Sequence, residues 1–219
     1  MKRIRTALNV ILLAGALPLL SACQSTYYSA MEQVGVHKRD ILVDRVDNAK
    51  ESQQEAQEQF ASALEQYRAV VSFNGGELEE LYNRLNAEYE DSEAAAEEVS
   101  GRIEKVEDVA EALFAEWEEE LNLYTSTSLR RQSERQLNQT RSRYKSLIRA
   151  MKRAEARMQP VLSALQDNVL FLKHNLNARA IGALKGELEG IRQDVDLMIK
   201  EMTTAIQESD RFIADMKQG

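Results

Sequence analysis

Residues 82–117 read YNRLNAEYEDSEAAAEEVSGRIEKVEDVAEALFAEW. Tyr82, Leu85, Tyr89, Ser92, Ala96, Val99, Ile103, Val106, Ala110, Leu113 and Trp117 follow one another in alternating steps of three and four, without a slip. Such steps return to the same side of an α-helix, and a period of 3.5 held this long is a heptad seam. At 1.5 Å per residue the helix is about 65 to 70 Å long. A seam needs a partner, because its apolar stripe has to be covered.

Partners lie on both sides in the sequence. Upstream, Leu42, Val46, Ala49, Gln53, Ala56, Phe60, Ala63, Tyr67 and Val70 keep the same period and run into Ser72-Phe73-Asn74-Gly75-Gly76, where Gly-Gly offers positive-φ turn chemistry. Downstream, Thr125-Ser126-Thr127-Ser128 interrupts the pattern before Leu137, Thr140, Tyr144, Leu147, Met151, Ala154, Met158, Val161, Leu165, Asn168 and Leu172 resume it. Pro160 lies inside this third seam, whose phase is unchanged across it, so a bend rather than a break is expected. Around 174–177 the period changes, Asn177 is placed to cap a new helix, and Leu184, Leu188, Ile191, Val195, Met198, Met202, Ala205, Ser209, Phe212 and Met216 form a fourth seam.

Antiparallel neighbours joined by tight turns pair residues whose numbers sum to a constant. The constant is 149 for the first two seams, 254 for the second and third, and 353 for the last two. One layer then contains Val46, Ile103, Met151 and Met202. The fold expected is all-α, an elongated antiparallel four-helix bundle of coiled-coil type running up-down-up-down, with helices at about 34–72, 77–123, 129–174 and 178–217.

Composition agrees with this reading. Nine Gly and two Pro in 219 residues leave few chain breakers, 29 % of the residues are charged, and a sandwich or barrel would need more turn residues. Charge adds a check on neighbours: residues 95–122 hold ten acids and two bases, and residues 130–157 hold ten bases and two acids. The turn between them brings opposite charges side by side. Exposed pairs contribute only about 0.2–1 kcal/mol each, so the pattern selects partner and register rather than supplying stability.

The beginning of the chain reads as processing signal. Lys2, Arg3 and Arg5 precede an apolar run from 7 to 20, shorter than the roughly 20 residues of a comfortable membrane span. The run ends Leu20-Ser21-Ala22-Cys23, which resembles a bacterial lipobox: small residues precede a cysteine, the only one in the chain, that would receive diacylglycerol before cleavage. Residues 1–22 are thus expected to be a lipoprotein signal peptide, 23–33 an anchor and tether, and 34–219 one helical bundle. Two or more acyl chains hold a protein on a bilayer without a spanning helix. Gln24, rather than the Asp that favours inner-membrane retention under the sorting rule for Gram-negative lipoproteins, implies the periplasmic face of the outer membrane. Loss of the three leader bases leaves 25 bases against 36 acids, a mature charge of −11 that disfavours broad binding to nucleic acid.

Few residues offer chemistry. The basic stretch 130–157 has one aromatic, Tyr144, and that lies on the seam, so pairing with the acidic helix is preferred to binding phosphates. Arg130 and Arg131, at the turn on the anchor end, are the candidates for contact with lipid headgroups. The acidic clusters around Glu88 and Glu116 lack the spaced ligands and glycine of a calcium loop. His37 and His174 fall at opposite ends of the proposed topology, no metal site is expected, and no nucleophile elbow or phosphate loop is present. Gly182, Gly186 and Gly190, four apart, are read as close helix contact in preference to a weak spot. Gln53, Ser92, Thr140 and Asn168 are read as polar core positions that set register, and Trp117 and Tyr89 as large core residues.

The stretch YYSAMEQVGVHKRDILVDRV at 27–46, with SLRR at 128–131 and KHNLNARA at 173–180, resembles a family of uncharacterised proteobacterial lipoproteins. The resemblance spans almost the whole mature chain and implies no activity or cofactor. The expectation is a non-enzymatic, lipid-anchored periplasmic bundle acting as a spacer or interaction module, with the membrane and an unidentified envelope protein as partners. The competing reading is a membrane-active or transport-accessory lipoprotein. Dense charge on every helix opposes it, since no apolar segment of spanning length follows Leu20.

Overall fold

The computed structural model describes residues 28, 31, 33–73, 75 and 78–218. The leader, Cys23 and Gln24 lie outside them. Four helices account for nearly everything described: α1 (Lys38–Val71), α2 (Leu78–Glu120), α3 (Thr127–His174) and α4 (Ala178–Gln218). Each packs on its neighbours in the chain, and α1 packs on α4, which closes an up-down-up-down four-helix bundle. The longest helix, α3, has 48 residues and is therefore about 72 Å long.

All nine positions of the first seam are fully buried. The layer Val46, Ile103, Met151 and Met202 is buried as well. The buried stripe is wider than a strict seam, because Ile41, Leu64, Val109, Phe114, Ala150, Leu162, Val169 and Ile213 flank it and are also covered. Tyr82, Tyr89, Trp117, Tyr144 and Leu188 are only half-buried, packed at the rim of the core rather than within it.

The turns follow their local chemistry. Gly75 has φ +129°, a value a side chain would resist. The first helix starts later than the expected residue 34, and Gly35 is the reason. Its φ of +83° is left-handed, and the Val36 N–H donates to the Met31 carbonyl over it at 3.0 Å, the helix-stopping bond of a Schellman turn. Tyr28, which the sequence reading put in the tether, is 7 % exposed and packs on the core, with the Lys38 ammonium 5.9 Å from its ring centre. Asn177 caps α4, its Oδ1 accepting from the N–H groups of Arg179 and Ala180 at 3.0 and 3.2 Å. α3 continues through Pro160, which is exposed, so the carbonyl it leaves without a helical donor is on the wet side.

Register agrees with the number sums. Ser62 and Gln59 of α1 both bond Glu88 of α2, at 2.9 and 2.8 Å, and Arg153 of α3 meets Glu201 of α4 at 3.4 Å. The α2–α3 interface is the least extensive of the four. Its charge match is partial: Arg141 pairs with Glu118 and Lys152 with Glu107 at 2.6 Å, whereas Arg143 and Arg153 turn to Asp215 and Glu201 of α4. Arg149 makes no ion pair among the described residues and donates to the Lys145 carbonyl of its own helix at 2.8 Å. A base beside two acidic neighbours takes whichever its rotamer reaches.

The glycine expectation is corrected. Gly182, Gly186 and Gly190 are exposed, and a Cβ at any of them would meet nothing within 4 Å. They lie on the solvent side of α4, where they are weak spots and not helix contacts.

Candidate functional site

The start of α1, the end of α2, the first half of α3 and the end of α4 converge at one end of the rod. Lys38 Nζ meets Glu116 at 2.8 Å, Trp117 Nε1 donates to Ser133 Oγ at 2.7 Å, and Arg39 donates to the Met216 carbonyl. These contacts hold all four helices together at this end.

Between them lies a cleft of about 430 Å³. α3 supplies one wall: Gln132, Arg135, Gln136, Gln139 and Arg143 stand at steps of three, one, three and four, all on one face of the helix. Arg39, Trp117, Phe212, Asp215 and Met216 complete it. Three guanidinium groups face one carboxylate here, in a chain whose net charge is −8. Arg143 Nε lies 3.2 Å from Asp215. Arg135, Gln132, Gln136 and Gln139 have no side-chain hydrogen bond among the described residues, and neither has the Thr140 hydroxyl, which lines the cleft although the residue is only 8 % exposed. The Thr140 oxygen is open to solvent in the cleft, and the buried side-chain polar atoms left without a partner among the described residues are those of Gln53.

A second cleft of about 420 Å³ shares Arg39, Trp117, Gln132 and Gln136 with the first. It leads outward past Leu113, Glu116, Glu120, Ser133, Tyr124 and Leu129. Tyr124 and Leu129 are exposed, as is Leu123 at 79 %. The joined surface is therefore mixed throughout, with Glu116 and Glu120 standing among the apolar side chains of the second cleft as Asp215 stands among the arginines of the first.

Arg130 and Arg131 are exposed at the start of α3, at this same end, and make no ion pair among the described residues. No acid occupies the first turn of α3, so these bases oppose the helix dipole unscreened. Of the residues that line the cleft, Trp117, Thr140, Phe212 and Met216 stand on the seams, and the period of the polar face 132–143 is readable in the sequence. Arg39 and Asp215 carry no sequence signal, because they come from the two other helices.

Elsewhere the structure offers little. His37 and His174 are at opposite ends of the bundle, and among the described residues no group of three or more His, Cys, Asp or Glu could hold a metal ion. The Tyr67 hydroxyl lies 2.8 Å from the Leu184 carbonyl and 2.9 Å from Asn168 Oδ1, sharing its proton between two acceptors. Burial, then the charge of Glu187, pushes its pKa up. Tyr144 is pushed up to about 12 by burial and by Glu107, Glu111 and Asp108. These are core tyrosines without an acid–base partner arranged for proton transfer. No described helix is long and apolar enough to cross a membrane.

No curated protein and no solved structure matches the chain. One family does, over residues 27–216, which takes in all but the last two residues of the bundle. The chain belongs to the family described as Protein of unknown function (DUF2959).

Proposed function

We propose that the protein is a lipid-anchored envelope lipoprotein whose bundle stands on the periplasmic face of the outer membrane and acts, without catalysis, as a spacer or interaction module. The observation that carries this reading is the apolar run ending Leu20-Ser21-Ala22-Cys23. Acyl chains on Cys23 would hold the chain firmly, at about 0.8 kcal/mol per buried methylene.

The geometry supports it at one point. Tyr28 is packed on the bundle, and five residues extend at most about 18 Å, so an anchor at Cys23 would keep the base of the rod beside the bilayer. That base also exposes Leu123, Tyr124 and Leu129 beside Arg130 and Arg131, the groups suited to headgroup contact. The opposite end, about 70 Å away, exposes Leu170, Phe171 and Leu176, which supports an interaction role there.

Expression in a Gram-negative host with an alkyne-tagged fatty acid tests the anchor. The wild type should be labelled and pellet with membranes, and Cys23→Ser should be unlabelled. Equal labelling of both proteins refutes the reading.

A further inference from the structure

We propose that the groove between α2 and α3 seats a basic amphipathic helix of a partner protein, its apolar side on Ala96, Met158 and Leu162 and its bases against Glu93, Glu97, Glu104 and Glu155. This goes beyond the interaction module proposed above by naming its surface and the chemistry of its partner. It rests on that reading for there being a partner, and not on the lipid anchor.

Space is the first argument. α2 and α3 are the two longest helices, yet they share the least extensive interface of the bundle. Between Tyr89 and Glu104 on one side and Glu155 and Gln166 on the other lies an open cleft of about 580 Å³. It runs about 22 Å along α2, and its lower edge stands about 24 Å above the end of that helix, clear of a bilayer at the base. Ala96, Met158 and Leu162, all buried, form its floor, with the half-buried Tyr89 at one end. An elongated groove with an apolar floor between two helices is the shape that takes a third.

Charge is the second. Glu93, Glu97, Glu104 and Glu155 line the cleft, and no base does. Glu93, Glu97 and Glu104 stand four and seven residues apart on one edge of α2, where like charges repel. Glu93 accepts from the Tyr89 hydroxyl at 3.0 Å, whereas Glu97, Glu104 and Glu155 have no hydrogen bond or ion pair among the described residues. The bases that α3 carries nearby are turned elsewhere: Lys152 pairs with Glu107 at 2.6 Å, and Arg153 with Glu201 of α4 at 3.4 Å. Lys152 feels Glu155 and Glu104 only through their longer-range field, and Arg157 is exposed outside the lining. A row of uncompensated carboxylates above an apolar floor selects a partner that is both cationic and amphipathic.

Side-chain size is the third. Gly101 lies in the middle of α2 and lines the cleft, and a Cβ there would meet nothing within 4 Å. The bundle alone has no use for glycine at a position where alanine favours the helix. A helix pressed into the groove does, because a residue without a side chain lets another backbone come close. Ser100, Ala156 and Ser163 keep the remaining walls low. The core layer under the cleft is also the least satisfied: Gln53, level with Ala96 and Met158 by the register sums, is fully buried with its amide unbonded, so this layer gives way at less cost than its neighbours.

Two designed peptides of leucine and lysine test the seat. One places its leucines at i, i+3, i+4 and i+7 of a helix, and its isomer of equal composition spreads them round the axis. Each is titrated calorimetrically into the full chain in nanodiscs of neutral phosphatidylcholine, with empty discs as the blank. The expected result is saturable one-to-one binding of the amphipathic peptide and binding about tenfold weaker or less by the isomer. Glu97→Lys with Glu104→Lys should weaken it by about tenfold or more, whereas Glu51→Lys with Glu58→Lys, the same charge change at exposed acids of α1, should alter it by less than about twofold. Gly101→Leu should weaken it by about tenfold or more with helix content and melting temperature kept, because the new side chain enters open space.

Equal losses in the two charge reversals mean attraction to an acidic protein at large and overturn the seat. Undiminished binding by Gly101→Leu overturns its place in the groove, equal binding of the two peptides overturns the helix, and no saturation overturns the site. A chain found to lack acylation at Cys23 is titrated without discs, so the anchor reading and this one fail separately.

Discussion

Replacing Gln53 by methionine should stabilise the bundle. Gln53 lies on the first seam and is completely buried, with Ala49 and Ala56 one turn away on either side, and neither its Nε2 nor its Oε1 has a hydrogen-bond partner. Other polar core residues are satisfied: Ser92 donates to the Glu88 carbonyl at 2.6 Å, and Asn168 to the Ala164 carbonyl at 2.7 Å. Each orphaned group costs about 1–3 kcal/mol relative to hydration in the unfolded chain. Methionine has nearly the same length and volume, so it adds no cavity and little strain. Taking the lower end of the range for both groups gives about 2 kcal/mol, or about 4–8 °C in melting temperature for a bundle of this size. Thermal and urea melts followed by circular dichroism measure it, with an unchanged urea slope showing that the native state is the same. Gln53→Glu is the opposing control and should cost several kcal/mol, because it strands a carboxylate. Light scattering on the methionine variant tests whether Gln53 also selects the oligomeric state, as a polar seam residue can. A melting temperature that stays or falls would refute the reasoning, since the amide would then be bonded in solution.

The triple variant Gly182→Ala, Gly186→Ala and Gly190→Ala should be more stable by about 0.5–1 kcal/mol per site, because each new methyl meets open space and the unfolded chain loses freedom. A lower melting temperature would restore the close-contact reading. A third expectation concerns alkaline pH. The folded bundle raises the pKa of Tyr67 and Tyr144 above the unfolded value near 10, so their contribution to stability is complete below pH 10. It is lost as pH rises through 10, by up to about 1.4 kcal/mol per pH unit for each tyrosine, until the folded values are reached. Tyr67→Phe should flatten that loss between pH 10 and 12. Absorbance at 295 nm showing all seven tyrosines ionising together at pH 10, with helix content intact, would contradict it.

Four helices, their turns and their register could be read from 82–117 outward because a heptad seam is a property of one strand of sequence. The apolar residues mark the face, and antiparallel connection through tight turns then dictates which layers meet. The seam specifies a face without specifying how much rotation about the helix axis the neighbours allow, and the buried stripe here is wide. That rotation decides that Gly182, Gly186 and Gly190 face water and that Tyr89 and Trp117 are at the rim. Long basic side chains leave a second freedom open. Lys152 and Arg153 are adjacent in the chain, yet one reaches Glu107 of α2 and the other Glu201 of α4. Position 35 shows the same division at the scale of one residue, where a glycine inside an amphipathic pattern ends a helical turn only when its backbone adopts φ +83°. The cleft belongs wholly to the tertiary structure. Arg39, Trp117, Arg135 and Asp215 come from four helices, and no local pattern records a juxtaposition that exists only once the bundle has closed.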